Sequence, residues 1–372
     1  MLLDFSQIRN GDDVRAVVAS LQQGYAALSN RVTTLETELG LYNKNTQHVV
    51  GMVLLEEGGR VGKWVRVDVN FNTVDFNPEH GTWAGMKTVV NEHGEFVEIP
   101  TTWVKTEVLN VGPYIGKTCW WISDEPTQGF HAHPAFLCKD GSVGSLQIGA
   151  WLTSLDATGL PQTRDVGADY VEYWNGLPYT EVHAAGELLN GDGDEGYRAY
   201  SIYDHHLLAR LMLIEFGTPD VQSQTVDGVK WNGTARIAYH GIHDTFGIPD
   251  PNGEYFWLDG MNMVDGTYHV LANNGSGNMV DTNIACPDDG SWLKNCLLTV
   301  LDDVDFGDLF IANGANNNNE NAGSFGDRQS LNKNYAFCVN WQRSSRRGAF
   351  CLGGHEVNYT NPMLGWRQVR VV

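Results

Sequence analysis

The sequence predicts an α+β fold in three parts: an N-terminal trimeric coiled coil at residues 1–45, a small β linker segment at 46–84, and one large domain at 85–372. Three observations indicate this organisation. Apolar residues in a heptad pattern open the chain, short alternating strand patterns follow, and the Gly-rich remainder contains one convincing helix.

The N-terminal segment places apolar residues at alternating spacings of four and three. The positions are Val14, Val18, Leu21, Tyr25, Leu28, Val32, Leu35, Leu39 and Tyr42. This spacing, about 3.5 residues on average, keeps one stripe facing a partner helix, so copies of the chain would bury it together. A single amphipathic helix packed on its own domain is the alternative, but its stripe is usually wider. We expect a homotrimer because two tyrosines fit a wide seam, although the Val and Leu positions also suit a dimer.

Composition and charge exclude several classes of protein. The formal charge is -21, with 24 Lys and Arg against 45 Asp and Glu, which argues against binding to a phosphate backbone. No apolar run is long enough for a membrane-inserted span, and the first residues lack the pattern of a signal peptide. The six cysteines form no CxxC pair, so free thiols are expected. The sequence thus predicts a soluble protein that binds no nucleic acid.

Local patterns predict the remaining elements. The stretches VVGMVLL, KWVRVDVNF and NTVDF within 46–84 read as short strands separated by turn signals. One helix is predicted at 201–216, ended by Gly217 and Pro219. The Asn-rich run at 313–326 is typical of a surface loop.

Four stretches in order carry a resemblance to a known family. They are FVEIPTTWVKTEV with CWWISDEPTQGFHAHPAF (96–108 and 119–136), IYDHHLLARLMLIEFGTPDVQ (202–222), YHGIHDTFGIPDPNGEYFWLDGM (239–261) and GAFCLGGHEVNYTNPMLGWRQVRV (348–371). Together they resemble the C-type lectin fold in its formylglycine-generating-enzyme-like form, as found in bacteriophage receptor-binding and tail-fibre proteins. The third stretch departs from the family pattern, because Gly247-Ile248 replaces the usual Gly-Asn. The resemblance implies a C-type lectin-like domain over 85–372 whose first and last strands lie close together.

The candidate catalytic and metal patterns are weak. Cys338 and Cys351 are too far apart in sequence to match the copper-binding pair of formylglycine-generating enzymes, and no nucleophile or zinc-protease motif occurs. The adjacent His205 and His206 point in different directions on a helix, so they cannot bind one metal ion together, and one of them is expected to be a core histidine with its hydrogen bonds satisfied. We therefore predict no catalytic residues, no cofactor and no metal. The acidic turn with Asp192, Asp194 and Glu195 is more typical of a solvated loop than of a calcium site.

The resemblance implies a ligand-binding surface in the final fifty or so residues. The candidate ligand-binding residues are Tyr335, Asn340, Trp341, Arg343, Ser344, Ser345, Arg346, Arg347, Asn358 and Tyr359. An Arg cluster in so acidic a chain suggests an anionic partner, such as lipopolysaccharide phosphate or an acidic glycan. The alternative is that these arginines pair with a neighbouring subunit or attach the protein within the virion.

The sequence leaves three functions open, which we rank in order. The leading prediction is a non-enzymatic phage virion protein, assembled in the bacterial cytoplasm, that displays a lectin-like head for attachment to a host-surface glycan or protein. The alternative is a structural virion component, such as a capsid decoration, collar or head-fibre protein, that contacts other tail or capsid proteins. An enzyme of the formylglycine-generating type comes last.

Overall fold

The computed structural model describes residues 18, 21–24, 31, 47–165, 174–191, 195–221, 224, 239–243, 254–272, 279–286, 292–301, 304–311, 319–325, 335–340, 349–350, 352–361 and 364–372. The chain divides into two compact units, Met1–Gln47 and His48–Val372. The strands and sites described below all belong to the second unit.

The strands of the second unit are mostly short. In chain order they are β1 Val49–Glu56, β2 Lys63–Val67, β3 Lys87–Asn91, β4 Gly94–Ile99, β5 Trp103–Val108, β6 Thr118–Ser123, β7 His131–Ala132, β8 Leu146–Gly149, β9 Thr153–Leu155, β10 Pro161–Thr163, β11 Tyr197–Ala199, β12 Glu254–Val264, β13 Thr267–Leu271, β14 Met279–Ala285, β15 Val300–Leu301, β16 Val304–Asp305, β17 Tyr335–Asn340, β18 Leu352–Glu356 and β19 Gln368–Val371. The helices are α1 Gly81–Ala84, α2 Tyr179–Gly186 and α3 Ile202–Phe216.

These strands form three main sheets. The first is antiparallel in the order β2-β1-β6-β5-β7. The second has the order β11-β19-β8-β4-β10-β9, with β3 beside β4, and only its β10–β4 pair is parallel. The third is antiparallel in the order β14-β13-β12-β17-β18, and β15 pairs with β16 alone.

The segment 46–84, expected as a β linker, contributes to the first sheet. The strands predicted by VVGMVLL and KWVRVDVNF are present as β1 and as β2, which ends at Val67, and β1 pairs with β6 from the middle of the chain. The strand predicted by NTVDF is wrong, because only Thr73 forms a bridge there, to Val67. In the second sheet, β19 near the C-terminus lies between β8 and β11, so one strand separates it from β4. The first and last strands of the predicted domain therefore share a sheet without pairing directly.

The predicted α+β class with a long N-terminal coiled coil is wrong. Strand makes up 38% and helix 20% of the chain, and no helix of the described residues is long enough for a four-heptad stalk. The few described residues of the N-terminal segment are helical, but the side chains of Val18 and Leu21 are 46% and 52% exposed. A heptad stripe stabilises a helix only where a partner covers it, and Gly24 and Gly40 each cost about 1 kcal/mol relative to Ala in a helix interior.

The other positions of the stripe lie outside the described residues; they are Val14, Tyr25, Leu28, Val32, Leu35, Leu39 and Tyr42. The homotrimer inferred from the stripe stays a prediction.

The helix predicted at 201–216 is confirmed as α3, which lies in the main hydrophobic core. Ser201 and Asp204 form a capping box at its start, and Gly217 ends it in the left-handed conformation at φ 68°. Nearly all its side chains are buried, including Asp204 and Arg210. Within the described stretches no helix, α3 included, combines the length and the apolar character needed to cross a lipid bilayer.

Candidate functional site

A cleft that is open to solvent lies between the loop after residue 136, α2, β11, the start of α3 and β12. Leu137, Leu271 and Val371 provide apolar lining. The polar and charged residues that line it include Lys139, His183, Glu187, Tyr197, Arg198 and Asp259.

His183 and Asp259 form a hydrogen-bonded pair in the cleft. The Nδ1 atom of His183 lies 2.7 Å from Oδ2 of Asp259, and its Nε2 lies 3.8 Å from Oε1 of Glu187. The hydrogen bond to Asp259 is the main reason that the pKa of His183 is raised, and the charges of both carboxylates act in the same direction. Asp259 is itself fixed, because its Oδ1 accepts the backbone N–H of Gly260 at 2.8 Å.

Two further ion pairs differ in how far they face solvent. Lys139 pairs with Glu187, and their side chains are 42% and 31% exposed. Arg198 pairs with Asp204, where the Nη2 to Oδ1 distance is 2.7 Å, and the Arg198 side chain is only 11% exposed. The Arg198 guanidinium is therefore committed to the capping box of α3. Lys139 and His183, the latter 49% exposed, are the cationic groups that a ligand can reach.

A second polar cluster lies between the first sheet and the 3₁₀ turn Phe306–Asp308. Nε2 of His131 lies 2.7 Å from Oδ2 of Asp308, and Asp305 is close enough that one ligand atom of each of the three residues lies within 4.8 Å of the others. The Nη2 atom of the buried Arg210 lies 3.8 Å from the Oδ1 atom of Asp308. His131, Asp305 and Asp308 are the groups of the described residues that could hold a metal ion.

The charges in this cluster perturb one another. The hydrogen bond to Asp308 raises the pKa of His131. Burial, together with the charge of Asp308, raises the pKa of Asp305. Burial alone would raise the pKa of Asp308 as well, but its hydrogen bond with His131 and the nearby positive charges hold that pKa below its usual value.

The predicted ligand-binding residues are described only in part. Trp341, Arg343, Ser344, Ser345, Arg346 and Arg347 lie outside the described residues, and only the backbone of Tyr335 and Asn340 is described, at the two ends of β17.

The remaining two predicted ligand residues are visible. Asn358 is exposed, but Tyr359 is half-buried, and its ring stacks on that of His355 with centroids 4.2 Å apart. Tyr359 packs against the same hydrophobic cluster as Val182 of α2. This segment therefore shares its packing with the helix that carries His183.

The acidic turn and the cysteines are each described in part. Asp192 and Asp194 of the acidic turn lie outside the described residues, whereas the carbonyl oxygen of Glu195 accepts a hydrogen bond from Nε of Arg370 at 3.0 Å. The four cysteines whose side chains are described, Cys119, Cys138, Cys286 and Cys296, are free thiols, as the sequence predicts.

Sequence reasoning expected one of His205 and His206 to be a satisfied core histidine, and both are buried. His205 hydrogen-bonds the backbone of Ala349, whereas neither ring nitrogen of His206 has a hydrogen-bond partner among the described residues. His183 was missed altogether. Its only sequence signal is a lone histidine on a short helix, and its partner Asp259 lies 76 residues further along the chain.

Comparison with known proteins gives no family for this chain. The sequence matches no protein-family model and no curated protein.

Proposed function

We propose that the chain is a non-enzymatic bacteriophage virion protein that attaches the particle to its host, and that the cleft beside His183 binds a sugar of the host surface. The resemblance of the four sequence stretches to phage receptor-binding proteins supports the first part. The cleft carries the second part, because among the described residues it brings apolar side chains together with reachable charged and polar groups.

The cleft presents groups that match a sugar. Carboxylate oxygens of Glu187 and Asp259 accept hydrogen bonds from hydroxyl groups, and Lys139 and His183 donate them. Leu137 and Leu271 supply apolar surface for the C–H face of a pyranose ring. The ion pairs fix these side chains before a ligand arrives, which lowers the entropy cost of binding.

The same contacts favour binding over catalysis. Ser201 lines the cleft, but its hydroxyl donates to Oδ2 of Asp204 at 2.8 Å, within the capping box. It is thus held in a structural role rather than activated by His183. The imidazole of His183 is held by its hydrogen bond to Asp259 beside Glu187, which fixes its position in the cleft for contact with a ligand.

The test uses the full chain on an array of bacterial lipopolysaccharide and capsular oligosaccharides, followed by titration of the best ligand. Lys139→Met removes a reachable charge from the cleft but keeps the length of the side chain. Lys294→Met is a matched control, because Lys294 is also 42% exposed and pairs with a glutamate, Glu57 at 3.0 Å.

We expect Lys139→Met and His183→Gln each to weaken binding at least tenfold, with the control within twofold of the parent. Equal binding by all four proteins would remove the cleft from the proposal. Cleavage of the bound glycan during the assay would contradict the non-enzymatic role.

A further inference from the structure

The cluster at His131 joins two parts of the chain that are far apart in sequence. His131 belongs to β7, at the edge of the first sheet, and Asp308 follows it by 177 residues in the 3₁₀ turn after β16. Asp305 precedes that turn, and its Oδ1 accepts the N–H of Gly307 at 2.7 Å. Its other carboxylate oxygen makes none of the hydrogen bonds seen in the turn. One imidazole nitrogen and two carboxylate groups therefore meet within 4.8 Å.

A second observation indicates that a cation belongs here. Asp308 is 1% exposed, and its buried Oδ1 atom has no hydrogen-bond partner among the residues that the structure describes. A buried carboxylate oxygen without a donor is costly, and the 3.8 Å separation from Nη2 of Arg210 does not make a hydrogen bond. Arg210 cannot move closer at no cost, because its guanidinium donates to the carbonyl of Gly307 and to Oγ1 of Thr106.

We propose that His131, Asp305 and Asp308 form a binding site for one Zn²⁺ ion, with water as the fourth ligand. Zinc accepts imidazole nitrogen together with carboxylate oxygen and prefers four ligands, whereas Ca²⁺ and Mg²⁺ select oxygen ligands. The His131 side chain is 45% exposed, which gives the ion a route from solvent. None of the three residues lines the cleft, so this site is independent of the proposed sugar binding.

Zinc binding would replace the hydrogen bond between His131 and Asp308. The lone pair of the His131 Nε2 atom and a carboxylate oxygen of Asp308 would then bind the metal. The charged groups around the site are Asp305 and Asp308 from the turn and Arg210 from α3. His133, which follows β7 in the chain, has its Nε2 atom 3.4 Å from the carbonyl oxygen of Asp308. The bound ion would hold β7 against the turn, which makes it a structural clamp.

The experiment uses the full chain, stripped with EDTA and moved into metal-free buffer. Zn²⁺ is titrated at pH 7.5 and pH 6.0 in competition with a chromophoric chelator, and the melting temperature is recorded with and without the ion. Asp305→Asn removes a ligand charge while its amide oxygen can still accept the N–H of Gly307. Asp156→Asn is the matched control, because Asp156 caps an exposed turn in the same way, through the N–H groups of Thr158 and Leu160.

We expect one Zn²⁺ per chain, a melting temperature that rises with Zn²⁺, and weaker binding at pH 6.0. Asp305→Asn and His131→Gln should each weaken the affinity at least tenfold, and Asp156→Asn should leave it within twofold. The proposal is overturned if the parent binds no Zn²⁺, or if its zinc affinity is the same in both ligand variants. Millimolar Ca²⁺ or Mg²⁺ that displaces the zinc would overturn the choice of metal.

Discussion

Mild acid should unfold this protein through three histidines that the core holds neutral. His133, His205 and His206 are at most 2% exposed. Burial lowers the pKa of His133 to about 3 and that of His205 to about 4, and it lowers the pKa of His206 well below its ordinary value. All three would regain an ordinary pKa near 6.5 in the unfolded chain, which therefore binds more protons than the folded chain as the pH falls.

The magnitude follows from proton linkage. Each depressed histidine costs about 1.4 kcal/mol per pH unit below 6.5 until its folded pKa is reached, so at pH 5 each removes about 2 kcal/mol and the three together about 6 kcal/mol. This is comparable with the whole stability of an ordinary domain, roughly 5 to 15 kcal/mol. His131 and His183 act in the opposite sense, because their pKa values are raised. The stability that these two histidines contribute is fully present below pH 6.5 and is lost as the pH rises through their folded pKa values. It therefore does not offset the stability that the three buried histidines remove between pH 6 and 5.

Urea unfolding followed by tryptophan fluorescence, at pH steps from 8 to 5, measures this slope directly. His206→Phe removes one titrating group and should reduce the slope between pH 6 and 5 by about a third, or about 1.4 kcal/mol per pH unit. Phe310→Leu is the control, because the Phe310 ring packs on His206 with centroids 5.9 Å apart and does not titrate. It should lower the free energy of unfolding by about 1 kcal/mol at every pH. A free energy that is flat from pH 8 to 5, or equal slopes in the parent and His206→Phe, would refute the reasoning.

Three further outcomes concern the scaffold. Arg210→Met should lower the free energy of unfolding by about 3 to 5 kcal/mol in urea titrations, because it leaves Asp308 buried without its cation; an effect below 1 kcal/mol would contradict the ion pair. Gly94→Ala should prevent folding or strongly lower the melting temperature, because the φ of Gly94 is 116° and a Cβ atom there would lie 1.9 Å from a carbonyl oxygen of β10. Gly159→Ala is the control: a Cβ atom at Gly159 would meet no atom within 4 Å, so this change should cost only about 1 kcal/mol of backbone strain. Deletion of residues 365–372 removes β19 from between β8 and β11, so the product should be insoluble or rapidly cut by protease, and a well-folded product would contradict the sheet order.

Local signals predicted the elements that depend on neighbouring residues. The helix α3 was predictable because its cap at Ser201, its buried run and Gly217 are adjacent in sequence. The heptad stripe led to the wrong prediction of a long coiled coil, because the spacing of apolar residues does not reveal whether a partner covers them. The strands β1 and β2 were predicted, but the place of β1 beside β6 depends on contacts with residues 119–123, which no local pattern encodes.

The candidate sites were less predictable than the fold. His183 and Asp259 are 76 residues apart, and His131 and Asp308 are 177 residues apart. Each pair is brought together by sheet topology, so neither has a motif with a fixed spacing.

Buried polar groups therefore link the stability of this protein to its candidate sites. Arg210 joins α3 to the first sheet through the carbonyl of Trp121, and to the turn that carries Asp308 through the carbonyl of Gly307. Arg198 does the same between the start of α3 and the loop before the cleft, since it donates to the carbonyl of Ala135 at 3.0 Å. Short strands and irregular loops bury too few ladder hydrogen bonds to fix these segments alone, so guanidinium groups in the core replace them. Because the same core also encloses neutral histidines, acid would remove the support of the cleft and of the His131 cluster in one cooperative step.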